Sequence, residues 1–147
     1  MIVNAEGQIL GRLATFVAKQ ALLGNEIIVV NAEKAIVSGE RRSVFREEMK
    51  KLEIKNLGNP RKGPFHQKRP DRFVRRAIRG MLPWKKPRGR EAFKRVQVYM
   101  GIPRDEIKKK HGIEIEKTKI HDLGETKKGV QNFVTVTDIC KFMGGRW

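Results

Sequence analysis

Apolar positions recur along this chain in changing rhythms, and each rhythm predicts an element. Ile2 to Ala5 is a short apolar run that predicts a strand. After Glu6-Gly7, residues Leu10, Leu13, Ala14, Val17, Ala18, Ala21 and Leu22 return at helical spacing and form one stripe. Gly24-Asn25 supplies the stop, because a residue in the left-handed region ends a helix most easily when it has no side chain. Ile27-Ile28-Val29-Val30 is continuous and β-branched, the pattern of a strand covered on both faces. Strand, helix and strand in that order predict a right-handed βαβ unit and a parallel sheet. Gly7 is read as making the first turn, and Gly11 as letting helix and strand approach each other.

Further along, Arg41 to Ile54 predicts a helix with Val44, Phe45, Glu48 and Leu52 on neighbouring turns. Val96 to Met100 alternates cleanly and predicts another strand. Thr135-Val-Thr-Asp138 resembles a capping box with Asp in place of Glu. It opens a short helix through Ile139, Cys140, Phe142 and Met143 that Gly144-Gly145 stops. No period emerges over 103–132, and there is neither an internal repeat nor a low-complexity segment. The 147 residues predict one α/β domain spanning 1–147, with a core of ordinary size.

Charge changes this picture. The chain has a net charge of +17. Residues 59–95 alone hold 14 Lys or Arg against 2 acidic residues, whereas the segments on either side are close to balanced. A surplus of this size opposes compaction and calls for an anionic partner. The segment is also patterned. On a helix over 71–81, Arg72, Arg75, Arg76 and Arg79 fall at i, i+3, i+4 and i+7 and share one face. Phe73, Val74, Ala77, Ile78 and Met81 fall on the other, so the apolar side docks while the arginines form an outward ridge. Arginine suits phosphate, because its planar fork makes bidentate contacts and stacks on bases.

Gly80 weakens this helix and Pro83 ends it. Trp84 to Gly89, with Pro87 inside, predicts a stiffened loop carrying Lys85, Lys86 and Arg88. One more helical turn then follows with Arg90, Lys94 and Arg95. Upstream, 59–70 has three prolines and predicts an extended loop bearing Arg61, Lys62, Lys68 and Arg69, with Phe65 and His66 available for stacking. Extended basic loops beside a basic ridge suit an irregular, folded RNA. Duplex DNA would call for a helix-turn-helix, a zinc finger or a symmetric dimer, none of which is evident. Two plainer readings compete: a merely solvated face, and a cationic helix lying on anionic lipid. Trp84 fits either base stacking or simple packing.

AEGQILGRLA, at a strand-to-helix turn, invites a phosphate-loop reading, and Glu33 lies roughly where a dinucleotide-binding fold keeps its ribose-binding acid. Yet Gly7 and Gly11 are separated by Gln8-Ile9-Leu10, which matches neither glycine fingerprint. Arg12 can still reach an RNA phosphate from this turn. His66, His111 and His121 are scattered, so no metal site is predicted. No nucleophile has a local signature, and Glu47-Glu48, Asp105-Glu106 and Glu114/Glu116 sit among basic residues as solvated or paired charges. No catalytic residue, cofactor or small-molecule substrate is predicted. Cys140 is the single cysteine, which excludes an intramolecular disulfide and fits a reducing compartment. It reads as a buried thiol within a helical apolar pattern. No apolar run approaches the length of a membrane span, so a soluble cytoplasmic protein is expected.

Three blocks, AEGQILGRLATFVAK, VVNAEKAIVSG and above all RAIRGMLPWKKPRGREAFKRVQVYMG, resemble in this order the universal large-subunit ribosomal protein family numbered thirteen, over roughly residues 1 to 101. The tail from about residue 103 is similar to the archaeal or eukaryotic branch. The resemblance implies a three-layer α/β/α domain with a small, mostly parallel four-stranded sheet, extended basic loops and a C-terminal extension over 103–147. It also implies binding to large-subunit ribosomal RNA beside neighbouring ribosomal proteins, early assembly, and no enzymatic activity. The family's RNA-facing block maps onto Arg79, Lys85, Lys86, Arg88, Arg90, Lys94 and Arg95. The competing expectation is a nucleotide- or RNA-dependent enzyme built on the βαβ unit.

Overall fold

The β-branched run at Ile27–Val30 (β2) is sealed on both sides, and the sheet grows outward from it. In the computed structural model, which describes residues 1–113, 120–122 and 131–147, β2 pairs in parallel with β1 (Ile2–Asn4) and with β4 (Val96–Val98). β1 also pairs in parallel with β5 (Ile120–Asp122), giving the order β4-β2-β1-β5. Alternate residues leave opposite faces, as the pleat requires. Val3, Ile27, Val29, Val96 and Val98 enter one core, which is closed by helices. Ile2, Ile28 and Val30 enter a second, smaller core with Ile107. The sheet is therefore the middle of three layers.

The larger core is covered by α1 (Leu10–Leu22), α3 (Pro70–Met81), α4 (Pro87–Lys94) and α6 (Val136–Phe142). α2 (Arg41–Glu53) packs on α6, and Phe45 stacks on Phe142 with ring centroids 4.3 Å apart. α5 (Arg104–His111) supplies the third layer through Ile107. β3 (Ile36–Ser38) and β6 (Phe133–Thr135) form an antiparallel ribbon outside the sheet.

The predicted stripe of α1 is in place, with Leu13, Ala14, Val17, Ala18 and Ala21 buried, and Gly24 leaves the helix at φ +99°. Gly7 makes its turn at φ +64°. The expectation for Gly11 fails: it is exposed, and a Cβ there would meet nothing within 4 Å. The small residues that α1 buries in the shared core are instead Ala14, Ala18 and Ala21. Thr135 caps α6 by accepting the Asp138 N–H at 3.2 Å, as its capping pattern predicts. The β4 strand is shorter than expected, ending at Val98, and β3, β5, β6 and α5 occupy positions to which no period had pointed. Glu114 and Glu116 lie outside the described residues.

Candidate nucleic-acid interface

α3 forms because Pro70 at its first position is pre-set for a helix and Asp71 favours the positive N-terminal end. Val74 and Ile78 are fully buried one turn apart, each worth roughly 1.5–3 kcal/mol of apolar burial. Gly80 does not break the helix, which runs on to Met81. Met81 departs from its expected place on the docked face: 49% of it is exposed, because the chain turns away at Leu82, which is buried in its stead.

The arginine face divides into two pairs. Arg72 and Arg76 are exposed, as a ridge requires. Arg75 and Arg79 are half-buried and lean on aromatic rings, the Arg75 guanidinium lying 4.6 Å from the centre of the Phe93 ring in the following helix and that of Arg79 4.5 Å from Trp84 in the connection before it. Trp84 meets Phe93 edge to face at 5.1 Å. These stacks set the α3 cations against aromatic rings of the next helix and of the turn that leads to it, each contact contributing about 0.5–1 kcal/mol. Trp84 is thus engaged in packing on the Arg79 side.

Pro87 is not inside a loop. It opens α4 at the first helical position, so the stiff connection shrinks to residues 82–86. Gly89 explains how so short a connection closes: a Cβ there would overlap the Pro83 carbonyl. From α4 and its approach, Lys85, Lys86, Arg88, Arg90 and Lys94 are exposed. Arg90 also donates from Nε to the Trp84 carbonyl at 3.3 Å. Arg95 is half-buried and donates to the Ala21 carbonyl at 3.4 Å, where it meets the negative end of α1.

The upstream segment is less uniform than an extended loop. Pro60–Lys62 makes a 3₁₀ turn capped by the Asn59 side chain, placing Arg61 and Lys62 in solvent. The half-buried His66 lies with Nε2 3.4 Å from the Ile54 carbonyl, while Phe65 is largely exposed. At Lys68 the loop is covered by the C-terminal segment: a Cβ on Gly145 would lie 2.5 Å from the Lys68 carbonyl oxygen and 2.8 Å from that of Cys140. Trp147 folds back against the same glycine. Arg12 stands apart from both basic units, exposed on α1, which packs on α3 and α4.

The electrostatic result is an uncompensated surface. Within 59–95 the ion pair among the described residues is Arg69–Asp71, at 3.2 Å. Phe93, which holds Arg75, and Gly145, which admits the Lys68 backbone, are visible in the sequence without these roles. Phe93 had a signal, sitting in a basic run with no polar task of its own. Gly145 had only the look of a helix stop.

The residues that had suggested nucleotide chemistry are used structurally. The Glu33 carboxylate accepts the Gly101 N–H at 3.0 Å, and its backbone carbonyl accepts the Thr137 hydroxyl at 2.8 Å. Cys140 is buried as expected. Burial, and after it the charges of Asp71 and Glu48, push its thiol up to about 12. Among the described residues no group of His, Cys, Asp or Glu is arranged to hold a metal ion, and no helix is long and apolar enough to cross a membrane.

A parallel α/β layer carrying a folded basic surface defines a class of nucleic-acid-associated scaffolds, and comparison with known proteins makes that class specific. The family model described as Ribosomal protein L13 matches residues 1–105. Large ribosomal subunit protein uL13 of Methanococcus maripaludis is 43% identical over 148 residues, covering 100% of this chain and 99% of its own length. The protein of the same name from Archaeoglobus fulgidus is 38% identical, covering 99% and 88%. That from Methanopyrus kandleri is 50% identical over 103 residues, covering 70% and 63%. The chain belongs to the ribosomal protein L13 family. It is a structural constituent of the large ribosomal subunit in the cytoplasm, associated with ribosomal RNA, and not an enzyme. The enzyme reading of the βαβ unit is thereby overturned.

Proposed function

We propose that this protein is a single domain, 1–147, that clamps large-subunit ribosomal RNA early in subunit assembly, with neighbouring ribosomal proteins as further partners. The clamp consists of the 59–69 loop, the four arginines of α3 and the cations of α4 and its approach through Arg95, with Arg12 as an outlying contact. One observation carries the reading: of the 14 cations in 59–95, only Arg69 has a carboxylate partner among the described residues. Holding so many unpaired cations on packed elements raises self-repulsion, and phosphate contacts with counterion release relieve it. The RNA face differs from a solvated face in being built, since aromatic rings hold Arg75 and Arg79 in place before any ligand arrives. An apolar side already committed to the core leaves α3 little to insert into lipid.

The test is binding to large-subunit ribosomal RNA fragments and to unrelated RNA across a salt series. Each phosphate contact should add roughly 0.7–0.9 to the slope of log affinity against log salt. Arg72→Glu with Arg76→Glu should weaken binding by about 100-fold, two charge-assisted contacts of roughly 1.5 kcal/mol each, without altering the fold. These two positions suit the test because neither leans on an aromatic ring. A shallow slope, or unchanged binding by the double variant, would overturn the clamp.

A further inference from the structure

A cleft of about 510 Å³ lies between the N-terminal turns of α3 and α5, at the carboxyl end of β4, and shares Arg69 and Arg72 with the clamp. Its volume falls within the range of sites that take one small ligand, and the edge beyond the carboxyl ends of parallel strands is where open α/β sheets bind such ligands. Its two walls differ in chemistry. α3 contributes two guanidinium groups and one carboxylate: Arg72 from an exposed position, Arg75 held over Phe93 with its Nε sealed from solvent and without a hydrogen-bond partner, and Asp71 with a buried Oδ1. Arg69 lines the same wall but shares its charge with Asp71. The other wall is Val98, Tyr99 and Met100 at the end of β4, followed by Pro103.

Tyr99 is already fixed at its rim, its hydroxyl 3.1 Å from His111 Nε2 and its ring 5.8 Å from Lys110 Nζ. Glu106 faces the cleft from α5, and on the α3 side Asp71 is offset by Arg69 at 3.2 Å, which leaves Arg72 and Arg75 as the groups for an anion. A cationic wall facing an apolar wall with one aromatic ring selects a ligand that is anionic at one end and flat and apolar at the other. Phosphate alone leaves the second wall unused, and an apolar ligand leaves the first.

We propose that this cleft is a nucleotide pocket, receiving one unstacked nucleotide of single-stranded RNA with its phosphate against Arg72 and Arg75 and its base against Val98, Tyr99 and Met100. The inference rests on the RNA-binding reading and adds to it a place where a base, and not only backbone, is engaged. Bases stacked on protein side chains in this way bind with little dependence on sequence.

The test uses the full chain and a short oligouridylate carrying one 4-thiouridine, crosslinked by light and mapped by mass spectrometry. Crosslinks are expected at Tyr99 or Met100. Arg72→Gln should reduce them about tenfold, the loss of one charge-assisted phosphate contact. Lys50→Gln, an equal change of charge on α2 away from the cleft, should leave them unchanged. Crosslinks confined to the loop and α4, or reduced equally by both substitutions, would overturn the pocket. If that happened while ribosomal RNA fragments still bound with a steep salt slope, the clamp would survive without it. If neither RNA bound, both would fall together. Uridine monophosphate binding as tightly as the oligonucleotide would assign the cleft to a free nucleotide and overturn RNA as the source.

Discussion

The 59–69 loop, with four cations, and the α3–α4 pair, with nine over 70–94, carry dense positive charge on two different kinds of support. The helices are held from within. Val74, Ile78 and Ala92 are buried in the core, and the arginines that lean inward are stacked on Phe93 and Trp84. The loop buries almost nothing of its own, since only Gly63, His66 and Gln67 between Asn59 and Arg69 are even partly covered. It is held from outside, by the backbone of a segment far away in the sequence. Charge placed on a helix inherits the rigidity of the core, whereas charge placed on a loop has only the rigidity of whatever covers it.

Truncation should separate the two supports most widely. Ile78→Ala is expected to cost about 3 kcal/mol, from lost burial and the cavity left behind, and Phe65→Ala in the loop less than about 0.5 kcal/mol. Urea denaturation of the two variants measures the contrast, and equal losses would abolish it. Gly89→Ala should cost about 2 kcal/mol, because the new methyl group must displace the Pro83 carbonyl within a packed turn. Gly145→Ala should cost about 1 kcal/mol globally, and its mark should be local: faster hydrogen exchange at the amides of residues 61–69, with α3 and α4 unaffected. Loosening of α4 by this substitution would mean the two supports are one.

The smallest effect concerns Cys140. Its raised pKa means that the stability it contributes is intact below the ordinary value of 9.0 and is lost as pH climbs towards about 12. Native protein at pH 8 should therefore resist thiol reagents that label the urea-unfolded chain completely.

What could be read from sequence follows the same division. α1, α3 and β2 were legible because each buries a face of its own, and burial imposes a period on the residues that make it. The ribbon of β3 and β6 was not, because three-residue strands are too short to establish a period, and Ile36 meets Thr135 only through the folded chain. β5 and α5 were hidden for a related reason: α5 contributes Ile107 as its buried residue among many charges, so no stripe develops. Pro87 was misread because the same ring that breaks a helix interior also starts a helix, and only the Gly89–Pro83 contact shows which applies.

Of the interface, the spacing of the four arginines was visible but their division into two pairs was not. The spacing places Arg75 and Arg79 on the outer arc, and only the packing of Phe93 and Trp84 alongside turns them inward. The pin at Lys68 is a contact between backbones, and backbone contacts leave no trace in residue type beyond a glycine.

That pin also has a consequence in time. A ribosome making this chain releases Lys68 well before Gly145, and at about 5–20 residues per second the interval is roughly 4–15 seconds. During that interval α3 and α4 can already rest on α1 and β4, whereas the basic loop has no cover. Any RNA that meets the nascent chain early encounters half of the surface shaped and half of it still searching. The two halves of one binding face thus acquire their form in sequence, and the later half waits for the last residues of the chain.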